Sequence, residues 1–169
     1  MIFLGFDPGA AGAVAMISAF IPDKAEVISV SPFDITMYRA VINSAICREM
    51  SNQRCRAVVE DVHAMPGQGV TSMFSFGRNK GIIEGMLSYA RIQYNLVSPR
   101  KWKSEFSLVF PRGTEKAFIK GMSIRRAQEL FPGTCLRPTK RCKVDSDGMA
   151  EALLMAEYAR RKYFNITKP

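Results

Sequence analysis

Hydrophobic runs and the breaks between them set out an alternating plan. Residues 2–7 are almost wholly apolar, Asp7-Pro8-Gly9 forms a turn, and residues 11–18 resume an apolar run, which together predict a β-hairpin. Residues 25–30 read as a third strand, preceded by a turn at Pro22-Asp23 and ended by Ser31-Pro32. From 35 to 50 the apolar positions Met37, Val41, Ile42, Ala45 and Ile46 recur at helical spacing, so an amphipathic helix packed on the sheet is expected. Residues 56–60 form a short continuous apolar run, the pattern of a central parallel strand buried on both faces.

The loop at 65–69 has no apolar period, and residues 71–89 read as a helix. Small residues at Gly77, Gly81 and Gly85 mark one face of it as a place where another backbone comes close. Residues 92–98 predict a fifth strand closed by Pro99. Residues 114–131 predict a helix with a break around Gly121 and a stop at Pro132-Gly133. A basic loop spans 136–144, and the last strong helix runs over 147–162. The order is that of an α/β domain with a mixed five-stranded sheet flanked by helices, occupying residues 1–169 as one domain.

Charge changes the picture. There are 24 Lys and Arg against 15 Asp and Glu, a net charge of +9 and a pI near 9.7. If several of the acids gather in one pocket, the remaining surface is more basic still, which points to a polyanionic partner, although the same charge also serves solubility. A hydrophobic content of 47% with 23% charged residues argues against disorder. Cys47, Cys55, Cys135 and Cys142 include no CxxC pair and His63 is the only histidine, so a structural zinc site is not expected. Cys47 and Cys55 fall in helical and strand contexts that read as core, and reduced thiols in a cytoplasmic protein are the expectation. No signal peptide or membrane span is apparent in the sequence.

Four acids stand where burial would penalise them. Asp7 ends the first strand, Glu60 ends the apolar run at 56–60, and Asp147 and Glu151 lie four apart on the last helix, hence on one face. Like charges at that spacing repel unless a cation, a lysine or Mg²⁺, sits between them. An all-oxygen donor set without clustered His or Cys suits Mg²⁺, with Mn²⁺ as a substitute. Each acid also has an ordinary reading: Asp7 as a turn residue before Pro-Gly, Glu60 with Asp61 as a solvent-facing strand end, and Asp145, Asp147 and Glu151 as charges suited to a helix N-terminus.

The segment Phe3-Leu4-Gly5-Phe6-Asp7-Pro8-Gly9 with Gly12-Ala13 resembles the first motif of the RuvC-like Holliday junction resolvases of the RNase H-like superfamily. Val58-Val59-Glu60-Asp61-Val62, with the loop at 65–69 and Phe76-Gly77, resembles the second. Asp147-Gly148-Met149-Ala150-Glu151-Ala152-Leu153-Leu154-Met155-Ala156 resembles the last, in the form found in phage-type and organellar members. The resemblance implies an RNase H-like fold and a homodimer that cuts four-way DNA junctions by paired, Mg²⁺-dependent hydrolysis. Asp7, Glu60, Asp147 and Glu151 carry over as catalytic metal ligands, with Asp145 a rival for the third position. Bacterial members commonly place the last two acids three apart, against four here.

For DNA the best basic clusters are Arg100-Lys101-Trp102-Lys103 and Lys140-Arg141-Cys142-Lys143. A Trp-Lys pair after this strand is similar to one in the phage-type and organellar branch, which makes Lys103 the preferred contact near the scissile phosphate; packing by Trp102 with solvated lysines is the plainer reading. The loop with His63, Met65 and Gln68 is expected to enter the junction centre, Met65 as a wedge and Gln68 as a reader of a base edge. His63 stands near the position where bacterial relatives carry an aromatic wedge. Two other classes compete: a non-catalytic basic DNA-binding protein, and an actin-like ATPase-related domain, which shares the opening pattern but needs two such domains around its nucleotide. No small-molecule cofactor and no membrane partner are expected.

Overall fold

The structure, a computed structural model, describes residues 1–19, 25–30, 33–49, 54–63 and 69–164, the side chain of Glu49 excepted. The turns expected at Pro22-Asp23 and Ser31-Pro32 lie outside the described residues, as do Met65 and Gln68.

The opening apolar runs pair as expected. β1 (Ile2–Asp7) and β2 (Ala13–Ser18) are antiparallel, with Ile2 opposite Ser18 and Asp7 opposite Ala13. β3 (Glu26–Ser29) adds to β2 antiparallel. On the other side of β1 lies β4 (Cys55–Glu60), parallel to it, and then β5 (Gln93–Val97), parallel to β4. The sheet is mixed and five-stranded, in the order β3-β2-β1-β4-β5.

Strand parity divides the core in two. Ile2, Leu4 and Phe6 of β1 with Cys55, Ala57 and Val59 of β4 pack under α1 (Ile35–Glu49) and α2 (Val70–Tyr89), against Tyr38, Val41, Ile42, Ile83 and Leu87. Phe3 and Val58 point the opposite way, under α3 (Pro99–Glu105), α4 (Lys116–Leu130) and α5 (Asp147–Tyr163). A period of two therefore sends Asp7 and Glu60 to the second face, the one that carries α5. In the parallel pair Phe6 sits beside Val59, so one step further along the same register Asp7 comes beside Glu60.

α5 is the most buried helix. Met149, Ala150 and every residue from Ala152 to Ala159 are buried, while Glu151 is half-buried. Its alanines and Gly5 of β1 let it lie directly on the sheet: a Cβ on Gly5 would run into the Ala152 carbonyl oxygen and the Ala156 nitrogen. Ser146 caps the helix by accepting from the Met149 N–H at 3.3 Å. Glu157, a buried acid near its end, is satisfied by Arg160 at 2.6 and 2.8 Å and by Arg161 at 2.8 Å.

Three expectations need correction, and a fourth is narrowed to contacts outside this subunit. α4 runs unbroken through Gly121, an exposed position at which an added Cβ would meet nothing, so the glycine costs helix propensity without bending the chain. α3 was not expected; Ser98 followed by Pro99 at the first helical position is the signal that announces it. Cys47 is exposed, because α1 turns it away from the core that holds Cys55. Among the described residues no backbone approaches Gly77, Gly81 or Gly85, so these glycines form a bare outer stripe of α2. Among the described residues no helix is long and apolar enough to cross a membrane.

Two glycine substitutions separate these roles. Gly5→Ala should lower the free energy of unfolding by ~2 kcal/mol or more, because the intruding atoms are backbone. Gly121→Ala should raise it by about 0.5–1 kcal/mol through helix propensity alone. Urea unfolding at constant m-value reads both.

Candidate functional site

Three elements bring the acids together. Asp7 ends β1, Glu60 ends β4 next to it, and Asp147 and Glu151 occupy the first turns of α5 above them. Asp7 lies within electrostatic reach of Glu60, Glu151 and Asp147, and Glu60 within reach of Glu151. Gly148 makes this possible at the helix end: a Cβ there would collide with the Ala11 carbonyl oxygen and come within 3.1 Å of Asp7 Oδ2. The turn after β1 also holds Asp7 locally, with the Gly9 N–H donating to Oδ1 at 2.9 Å. Tyr38 donates to the Asp7 carbonyl at 3.3 Å, and Asn79 of α2 to the Pro8 carbonyl at 3.2 Å.

Cations and donors already engage these carboxylates. Lys103 Nζ lies 2.7 Å from Glu151 Oε1, to which Ser123 Oγ also donates at 3.0 Å. Lys120 Nζ lies 2.7 Å from Asp147 Oδ2. The Trp102 indole N–H donates to Glu60 Oε1 at 3.0 Å. The repulsion between acids four apart on one helix face is thus met by a lysine on each, one from α3 and one from α4. Among the described residues no three His, Cys, Asp or Glu side chains converge tightly enough to hold a metal as they stand.

Burial and like charge leave a clear electrostatic mark. Desolvation, and then Glu60, push the Asp7 carboxyl from 3.8 up to about 8, against the lowering effect of the Gly9 N–H; Glu151 and Asp147 raise it further. Desolvation and the charge of Glu151 also raise Glu60, opposed by the Trp102 hydrogen bond and Lys103. Lys120 is shifted up, chiefly by its hydrogen bond to Asp147. Such a concentration of negative potential favours a cation, and the donor set, carboxylate oxygen alone, fits Mg²⁺ or Mn²⁺ rather than zinc.

The other residues singled out from sequence are dispersed around this cluster. Asp145 accepts from Gln128 Nε2 at 2.6 Å and is not among the electrostatic neighbours of Asp7, whereas Asp147 is. Arg100 and Lys101 are exposed on α3, while Trp102 is fully buried and Lys103 turns inward. Lys140, Arg141 and Lys143 are exposed on the loop before α5, an excursion closed at its base by the Ser146 N–H donating to the Leu136 carbonyl at 2.8 Å. His63 is exposed, with Nε2 3.5 Å from Asp61 Oδ2; Asp61 is also paired with Lys80. Lys120 and Ser123 were not expected from sequence. Their signal was faint: a buried serine in register with Ala127 on α4, one turn beyond a lysine.

No protein-family model matches the sequence, and no curated protein matches it either. Solved structures do. Thermus thermophilus RuvC in complex with a Holliday junction substrate aligns with a TM-score of 0.58 at 14% identity, covering 92% of this chain and 90% of that one. A second Thermus thermophilus RuvC structure aligns with a TM-score of 0.55 at 15% identity, covering 92% and 91%. The mixed sheet in the order β3-β2-β1-β4-β5 with its flanking helices is the RNase H-like fold, in the form RuvC adopts.

The raised carboxyl of Asp7 fixes the sign of a pH effect. Because its folded value, about 8, lies above the ordinary 3.8, the folded state binds the proton more tightly. Its contribution to stability is full below about pH 4 and is lost as pH rises to 8. Asp7→Asn removes this dependence, so without divalent cations the variant should melt above the wild type at pH 8, with the gap closing toward pH 5. Thermal denaturation across that range checks the expectation, and a variant less stable than wild type at pH 8 would contradict it.

Proposed function

We propose that this chain is a single RNase H-like nuclease domain that resolves four-way DNA junctions, a structure-selective endodeoxyribonuclease acting by paired, Mg²⁺-dependent hydrolysis. The observation that carries the reading is the convergence of Asp7, Glu60, Asp147 and Glu151 at one end of the central strands of a chain with net charge +9. The fold likeness to a RuvC solved with a Holliday junction substrate supports it. The Trp102-Lys103 pair and the four-residue spacing of the last acids support a place in the phage-type and organellar branch.

Asp7, Glu60, Asp147 and Glu151 would hold Mg²⁺, with Mn²⁺ as a substitute. When bound, the ion supplies activation of water and stabilisation of charge on the leaving oxygen. The chain's own residues do the rest. Lys103 and Lys120, each paired here with one of the acids, would meet a phosphate drawn to them. Arg100, Lys101, Lys140, Arg141 and Lys143 supply exposed charge for the DNA arms. His63, Met65 and Gln68 are the residues proposed to contact the branch point. No covalent nucleophile is required.

Paired cuts need two active sites, and α2 offers the surface for a homodimer. Val70, Phe74 and Tyr89 are 78%, 73% and 90% exposed, and they lie along the helix with the bare glycines 77, 81 and 85. An apolar stripe of this kind, with no side chain at its centre, suits the close approach of a second copy of the same helix.

A second reading keeps one observation in its favour: Lys103 and Lys120 already neutralise two of the acids. A non-catalytic basic DNA-binding protein would leave them so. The deciding experiment is cleavage of a four-way junction beside a matched linear duplex, with and without Mg²⁺. Symmetric nicks in the junction alone, dependent on Mg²⁺ and abolished by Asp7→Asn with junction binding retained, are expected. Salt-sensitive binding without nicking would favour the second reading. For the dimer, Gly81→Arg should yield a monomer in analytical ultracentrifugation at concentrations where the wild type sediments as a dimer; a monomeric wild type would remove the proposal.

A further inference from the structure

We infer that Trp102, working with Lys103, is a positioning residue that holds Glu60 and Glu151 in place for a divalent cation; this rests on the metal reading of those acids given above. A fully buried indole needs an acceptor for its N–H, and a backbone carbonyl would serve. Here the acceptor is a carboxylate instead, Glu60 Oε1 at 3.0 Å. The next residue carries a second prong. Lys103 Nζ stands 5.0 Å from the centre of the Trp102 ring and 2.7 Å from Glu151 Oε1, where Ser123 also donates. One dipeptide therefore grips an acid on β4 and an acid on α5, two carboxylates that repel each other.

α3 also has partners at its far end. Glu105 pairs with Lys162 at 3.0 Å and with Arg161 at 3.7 Å, and Arg161 lies over the ring of the buried Phe106 at 4.9 Å. The contacts on both acids fall on Oε1. Packing alone does not call for this arrangement: phenylalanine would fill much of the same core but could not hold Glu60. Losing the N–H frees Glu60 to swing away from Asp7, and the cation must then reassemble its own ligands, which weakens binding.

The only tryptophan in the chain donates its N–H to Glu60, so its emission is sensitive to that carboxylate. In the full-length protein, Mn²⁺ affinity is measured by electron paramagnetic resonance for wild type, Trp102→Phe, Glu60→Gln and the double variant, with junction affinity alongside. The expected result is that Trp102→Phe weakens Mn²⁺ about tenfold, leaves junction binding unchanged, and adds nothing further on the Glu60→Gln background. Affinity within twofold of wild type, or a loss that simply adds to that of Glu60→Gln, would overturn the positioning role. If Trp102→Phe fails to fold, the wild type decides by fluorescence. A saturable change in emission with Mg²⁺ that disappears in Glu60→Gln supports the inference, and emission unmoved by Mg²⁺ overturns it. A wild type that binds no Mn²⁺ at all overturns the metal reading itself, and the clamp with it.

Discussion

The closeness of α5 to β1 governs the molecule. Two positions without side chains make it possible: Gly5 beneath Ala152 and Ala156, and Gly148 beside Ala11 and the Asp7 carboxylate. A methyl group at either would collide with backbone atoms, which cannot step aside as a flexible side chain can. With the helix seated, its first two turns overhang the ends of β1 and β4, and Asp147 and Glu151 come into the electric field of Asp7.

Seating the helix creates an electrostatic problem that the surrounding elements share. Asp7 and Glu60 are held where desolvation and mutual repulsion disfavour charge, and the rest of the second face answers with donors: Lys103 and Trp102 from α3, Lys120 and Ser123 from α4, and the Gly9 N–H from the turn. At the opposite end of α5, Glu157 is handled differently, enclosed by Arg160 and Arg161 from its own helix. The contrast is informative. Glu157 is neutralised by strong local pairs, while Glu60, Asp147 and Glu151 at the other end are each engaged at one oxygen by groups from α3 or α4.

The exterior completes a division of labour. The acids lie inward at the ends of the strands, and the excess of positive charge is carried outward on α3 and on the loop before α5, where Lys140, Arg141 and Lys143 meet solvent. α2 contributes little to the acids beyond the Asn79 contact to Pro8, and its outer stripe faces away from the core that holds Ile83 and Leu87. The two faces of the sheet thus differ, one enclosing the acids and the other supporting the exposed stripe of α2.

Much of this was legible in the amino-acid order because it depends on period and punctuation. Apolar runs already mark β1 and β4 as strands with Asp7 and Glu60 at their ends, turn residues at Pro8-Gly9 close the hairpin, and the spacing of Asp147 and Glu151 places both on one side of a helix. Local signals also mislead: Gly121 reads as a break, yet α4 runs through it with Ser123 and Ala127 buried, and the short α3 is announced only by Ser98-Pro99. Only the tertiary structure decided that β4 lies beside β1 in the register that sets Glu60 next to Asp7, that Trp102 reaches Glu60, and that Lys120 and Ser123 come from a helix distant in sequence to meet α5. Local pattern is written in neighbouring residues, whereas these contacts join segments whose approach is set by the fit of whole faces, and no short stretch of chain carries that information.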